Sequence, residues 1–218
     1  MLKAILFDLD GTLANTDPLH FKIWQELLKE QGIEINRESY QAKISGRQNP
    51  EIIQDLLPDF SQQDSVEFAE HKEQLFREQA KSLEPLAGFL ELLEWIEKQQ
   101  LQTAVVTNAP RKNADFMLDA LNLTERFKTV ILGEDMTAGK PDPAPYQYCL
   151  KQLNIQPSEA IVFEDSPSGI RSAIAAEIDT IGMATTHDPT ELKELGVSLV
   201  IDNFCSSQMW EKIKSMML

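Results

Sequence analysis

The sequence predicts an α/β fold: a doubly wound, mostly parallel sheet with a helical domain inserted after its first strand. Three observations predict it. Six short apolar runs rich in β-branched residues alternate with amphipathic segments of helical length, the pattern of strands buried on both faces. Residues 16–83 break that alternation and hold only helical patterns. Several of the apolar runs lead directly into acidic, hydroxyl or amide residues, and ligands of open α/β sheets bind at the carboxyl ends of strands.

The expected strands are 4–7, 103–106, 129–132, 160–163, 180–182 and 197–201. Between them, residues 88–99, 112–121, 143–153, 169–176 and 191–195 carry helical periodicity. Within the insert, 20–31 is an amphipathic helix closed by Gly32, 51–57 is a helix stopped by Pro58, and 65–82 is a long helix, mostly charged outside its apolar stripe. The expected division is a catalytic core of residues 1–15 and 84–218 with a helical cap of 16–83. An insert at that place lies over the carboxyl ends of the strands, where a lid would lie. The sequence has no internal repeat and no low-complexity tract.

Bulk composition narrows the function. The 218 residues suffice for one core plus a small insert, and an apolar fraction of 42% is ordinary. A formal charge of −15 argues against nucleic acid and against anionic membrane, which both need basic patches. No run approaches the ~20 apolar residues of a membrane span, and the chain starts almost directly in a strand, without a signal peptide. Cys149 and Cys205 lack metal-type spacing and read as packing residues, which fits a reducing cytoplasm. A monomer is the default.

Four segments carry chemistry. In Asp8-Leu9-Asp10-Gly11 the two carboxylates are two residues apart on an extended chain and share one side. They repel unless a cation or a proton sits between them. An aspartate can attack phosphorus, and a second carboxyl can pass the proton to and from the oxygen involved. Gly11 permits a sharp turn, and backbone N–H groups near it, such as that of Leu9, can face a phosphate. An Asx-type turn would use the same residues. An EF-hand is excluded, because the twelfth loop position is Leu19 rather than glutamate.

Thr107 and Asn108 follow a buried strand, and the Thr107 hydroxyl and Asn108 backbone N–H can donate to phosphate; a plain helix cap is the alternative. Lys140, between Gly139 and Pro141, would neutralise phosphate and Asp8 together if it turned inward, or is a solvated loop lysine. Glu164 and Asp165 end another apolar strand and suit magnesium, Asp165 as a direct ligand and Glu164 directly or one layer out. Ser166 and Pro167 read as the cap and first residue of a helix.

Taken together, FDLDGT at 7–12, VVTN at 105–108, GKPDP at 139–143 and FEDSPSGI at 163–170 resemble the haloacid dehalogenase superfamily, on its phosphatase and phosphomutase side. The resemblance covers essentially the whole chain. It implies a Rossmann-like core, a helical cap, magnesium and an aspartyl-phosphate intermediate. By it, Asp8 is nucleophile and metal ligand, Asp10 is general acid/base and binds the metal through its carbonyl, Thr107 and Lys140 hold the phosphoryl group, and Asp165 holds the metal. Thr16, His20 and Trp24 further resemble the β-phosphoglucomutase-like subgroup, which gives His20 a role in positioning Asp10. The resemblance weakens at the second-phosphate grip: Arg47 directly follows Gly46, position 49 is Asn49, and the 108–113 loop is about two residues longer. The expected function is a magnesium-dependent phosphatase acting on a small phosphorylated metabolite, with His20, Gly46, Arg47 and Arg77 as candidates for substrate contact. The alternatives are a phosphohexomutase, a haloacid dehalogenase and a catalytically silent binding protein.

Overall fold

The computed structural model describes residues 1–217. Its centre is a six-stranded, all-parallel sheet of order β3-β2-β1-β4-β5-β6. The strands are β1 (Ala4–Phe7), β2 (Gln102–Thr107), β3 (Val130–Leu132), β4 (Ala160–Glu164), β5 (Asp179–Met183) and β6 (Leu199–Ile201). Thr107 and Glu164 are therefore the last residues of their strands, one position beyond the predicted ends.

Alternating β1 residues build the two layers. Ile5 and Phe7 join one apolar cluster with α5 (Phe89–Lys98), α6 (Arg111–Ala120) and α10 (Ser207–Ser215). Ala4 and Leu6 join another with α7 (Ala144–Leu153) and α8 (Pro167–Ala175). This two-residue period, apolar on both sides, is why the strands read as continuous hydrophobic runs. Phe7 anchors the first layer and lies against Phe89, Phe127, Phe163 and Phe204. The short α9 (Pro189–Glu194) connects β5 to β6.

Between β1 and β2 the chain forms α1 (Asp17–Glu30), α2 (Arg37–Lys43), α3 (Asn49–Leu56) and α4 (Gln62–Gln79), with no strand. These helices enclose their own apolar cluster around Trp24, Leu28, Tyr40, Ile52 and Ile53. Their starts differ from expectation for local reasons. Pro18 and Pro50 sit in first turns, so α1 and α3 begin earlier than predicted. A reciprocal Ser61/Asp64 cap starts α4 three residues early. Gly32, at φ +78°, follows the end of α1 as expected. Two helices were not anticipated. The seven-residue α2 is nucleated by an Asn36/Ser39 capping box, and α10 is capped by Ser206 and buries Met209 and Ile213.

Cys149 is fully buried, but Cys205 is exposed, so Cys205 is not the packing residue its sequence context suggested. No helix among the described residues is long and apolar enough to cross a membrane.

Candidate active site

The order in which strands are added reverses at the centre of the sheet. β2 and β3 extend to one side of β1, and β4 starts on the other. Such a switch point opens a crevice at the carboxyl ends of the strands. The predicted residues converge there. Asp8 follows β1, and its N–H donates to the Phe163 carbonyl at 3.0 Å, continuing the β1–β4 ladder. Thr107 ends β2, Glu164 ends β4, Asp165 follows it, and Lys140 enters from the loop before α7. Asp8, Asp10, Thr107, Asn108, Lys140 and Asp165 all line one cavity.

Lys140 is not a solvated loop residue. It is buried, and its Nζ donates to Asp8 Oδ1 at 2.7 Å, to the Val106 carbonyl at 2.6 Å and to Glu164 Oε1. Burial alone would lower its pKa, but Asp8 and Glu164 outweigh that and raise it. Tyr146 also donates to Glu164 Oε1, at 2.7 Å. Lys140 and Tyr146 thus both engage Oε1 of Glu164, and its Oε2 lies 3.5 Å from Ser166 Oγ.

Oxygens of Asp8, Glu164 and Asp165 lie within 4.8 Å of one another. Burial, together with Glu164 and Asp10, pushes Asp8 up to about 8 despite the Lys140 contact. Burial, with Asp8 and Glu164, also pushes Asp165 well up, although Thr186 donates to it. Three buried carboxylates with one shared lysine form a set of hard oxygens that a divalent cation would satisfy. Asp8 Oδ2 accepts no hydrogen bond among the described residues, so one oxygen is free. Gly11, at φ +77°, keeps this space open, because a methyl group there would overlap the Asp165 carboxylate.

Asp10 faces the helical insert. Its Oδ1 accepts from Thr16 Oγ1 at 2.6 Å and lies 3.1 Å from His20 Nε2. On the far side of the ring, Lys72 Nζ lies 3.0 Å from Nδ1. Lys72 can only donate, so Nδ1 accepts and Nε2 carries the hydrogen aimed at Asp10. His20 also stacks on Phe76, with 4.2 Å between ring centroids. Burial would raise Asp10, but the His20 and Thr16 hydrogen bonds and the Lys72 charge hold it below the ordinary carboxylate value. His20 therefore contacts Asp10, as the subgroup resemblance implied.

The remaining candidates are placed less directly. Leu9 is buried in the core, so only its backbone is available to a ligand. The Asn108 side chain bridges Lys140 N, the Lys140 carbonyl and the Gly46 carbonyl, tying insert to core. Gly46 packs so closely on Ser166 that a Cβ would lie 2.7 Å from its side chain. The Arg47 guanidinium is held by Asp55 at 2.7 Å and by the Lys43 carbonyl at 2.8 Å. Arg77 binds Asn113 and Glu70 and does not line the cavity.

Sequence reasoning missed Lys72, Glu73, Asn49 and Asn113, all of which line the cavity. Glu73 accepts from Lys72 at 2.8 Å, from Asn49 at 2.6 Å and from Asn113. It also missed the Thr185–Thr186 turn. Thr185 donates to the Gly11 carbonyl at 2.5 Å, and Gln41 of α2 donates to the Thr186 carbonyl at 2.6 Å.

Residues 5–183 match the family described as haloacid dehalogenase-like hydrolase. The chain is 34% identical to a validoxylamine A 7'-phosphate phosphatase of Streptomyces hygroscopicus subsp. limoneus, covering 91% of this chain and 93% of that one. It is 31% identical to a phosphorylated carbohydrates phosphatase of Thermotoga maritima, covering 83% and 84%. A crystal structure of a HAD hydrolase, family IA, variant 3, from Entamoeba histolytica superposes with a TM-score of 0.88 at 29% identity, covering all of both chains. Fold, converging acids and kinship over nearly the whole length agree, and the chain belongs to the haloacid dehalogenase-like hydrolases.

Proposed function

We propose that this hydrolase removes the phosphoryl group from a small sugar or polyol phosphate, with magnesium as its cation. The observation that carries this reading is the meeting of Asp8, Lys140 and Asp165 in one cavity, from three separate strand ends and loops. Two of its curated relatives, a validoxylamine A 7'-phosphate phosphatase and a phosphorylated carbohydrates phosphatase, support it.

Asp8 attacks phosphorus through its free oxygen, and the bond to the leaving alkoxide breaks. Asp10 gives its proton to that alkoxide. An incoming phosphate dianion raises the pKa of a neighbouring carboxyl and so favours the protonated form that this step needs. As carboxylate, Asp10 then takes a proton from the water that hydrolyses the aspartyl-phosphate. Thr107, Lys140 and the backbone N–H groups of Leu9 and Asn108 hold the phosphoryl oxygens. Magnesium, held by Asp8, Asp165 and the Asp10 carbonyl with Glu164 beside them, would neutralise anionic charge. Residues 16–83 act as a cap that excludes bulk water over a core of 1–15 and 84–218. A cytoplasmic monomer remains the expected state.

A panel of sugar and polyol monophosphates, with and without magnesium, tests this reading. Free phosphate should accumulate only with the cation. Accumulation of an isomerised sugar phosphate would point to the mutase instead, and silence across the panel would refute both.

Cation and pH should also be linked through stability. Asp8 has a folded pKa of about 8 against an ordinary 3.8, so its stabilising contribution is complete below the lower value and is lost as pH rises through the upper one. The cation-free protein should therefore weaken between those values. Magnesium at about 100 times its pH 8 Kd should raise Tm by about 5–10 °C near pH 8, and the same concentration should raise it by less near pH 5. Thermal melts check this; an equal shift at both pH values contradicts it.

A further inference from the structure

The part of the cavity away from Asp8 contains a buried carboxylate that the proposed chemistry does not use. Glu73 on α4 is 4% exposed, yet it lines the same space as Asp8 and Asp10. A carboxylate offers about four lone-pair sites. Oε1 of Glu73 accepts from Lys72 and Asn49, and Oε2 accepts from Asn113, which leaves one acceptor site on Oε2.

The local charge balance is negative. Lys72 is shared between Glu73 and, through His20, Asp10, so one cation serves two carboxylates. Burial opposes ionisation of Glu73, but the Lys72 charge and the Asn49 hydrogen bond work against it, and its pKa is lowered. The other nearby cations are committed elsewhere. Arg47 is held by Asp55, and Arg77 and Lys112 both bind Glu70. The remaining walls combine polar groups, Ser45, Asn49 and Asn113, with apolar faces, Trp24, Ile44 and Ile52, and Arg47 also lines the cavity with its guanidinium turned to Asp55 and the Lys43 carbonyl. Amides facing hydroxyls, apolar faces facing C–H groups, and no uncommitted cation are what an uncharged polyol meets well and a second anion meets badly.

We propose that Glu73 determines specificity by charge: it accepts a hydroxyl of an uncharged polyol leaving group and repels a second anionic group. The site then takes monophosphates of neutral polyols and rejects bisphosphates and phosphorylated acids. The proposal rests on the phosphatase reading above.

The test is steady-state kinetics of the wild type and Glu73→Gln, with magnesium, on fructose 1-phosphate, glucose 6-phosphate, glucose 1,6-bisphosphate and phosphoglycolate. For the wild type, kcat/KM on the better monophosphate should exceed that on the bisphosphate and on phosphoglycolate by at least about 30-fold. In Glu73→Gln that ratio should shrink by about 10-fold or more, with KM falling for the two anionic compounds and rising for the sugar monophosphates. An unchanged ratio, or a wild type that prefers the bisphosphate or phosphoglycolate, overturns the role of Glu73 while the phosphatase reading stands. A wild type that hydrolyses neither the panel nor p-nitrophenyl phosphate overturns both. If Glu73→Gln fails to fold, the wild-type inhibition constants decide. Glucose 1,6-bisphosphate should inhibit glucose 6-phosphate hydrolysis only at concentrations about 30-fold above the KM for glucose 6-phosphate, and tighter inhibition refutes the proposal.

Discussion

Asp8→Asn should abolish turnover, with kcat falling by at least about 10⁴-fold, as expected when a nucleophile is removed. The amide keeps the shape of the carboxylate but loses the anionic oxygen that would attack phosphorus. The fold should survive. Lys140 keeps Glu164 and the Val106 carbonyl as acceptors, and one of three mutually repelling carboxylates disappears. Cation-free Asp8→Asn protein should therefore melt no lower than the wild type at about pH 8, where the Asp8 charge is least favourable. Phosphate release and a thermal melt of the same preparation read both effects. Retained magnesium-dependent turnover would remove Asp8 from the mechanism.

Lys140→Met should damage stability and activity together. The ammonium is 2% exposed and lies between Asp8 and Glu164, neither of which has another cation within salt-bridge distance among the described residues. Breaking a buried pair leaves uncompensated charge and typically costs about 3–5 kcal/mol. Turnover should fall by about 10²–10³-fold, because the transferring phosphoryl group loses a preplaced cation. The stability loss should be larger at about pH 8 than at about pH 5, where the orphaned carboxyls can take up protons. Urea denaturation at the two pH values measures it. A midpoint unmoved at about pH 8 would mean that Lys140 does not neutralise this cluster.

These two residues were legible before any coordinates. Asp8 follows an apolar strand, and Lys140 sits in a distinctive Gly-Lys-Pro-Asp-Pro segment. The strand positions were legible too, since burial on both sheet faces leaves a contiguous apolar signature in each segment. Strand and helix ends were read less well, because caps such as Ser61/Asp64 depend on the geometry of one or two side chains. The short α2 escaped notice for the same reason: a capping box starts it and only Tyr40 is buried in it.

Lys72 and Glu73 show where local reading ends. They are adjacent charged residues of a helix that is mostly charged outside its apolar stripe, yet each is 4% exposed. Their burial is stabilised by partners remote in sequence. Lys72 meets His20 across 52 positions, and Glu73 meets Asn113 across 40. Arg47 is the converse, an inviting cation beside a cap glycine that turns toward Asp55 of its own helical unit. The sequence by itself determined the sheet, the helical insert and the chemical types gathered at the strand ends, because periodicity and motif are properties of contiguous residues. Only the tertiary structure decided which charges are buried against which, and therefore what lines the leaving-group end of the cavity, because the energy of a buried ion depends on partners that folding alone brings near.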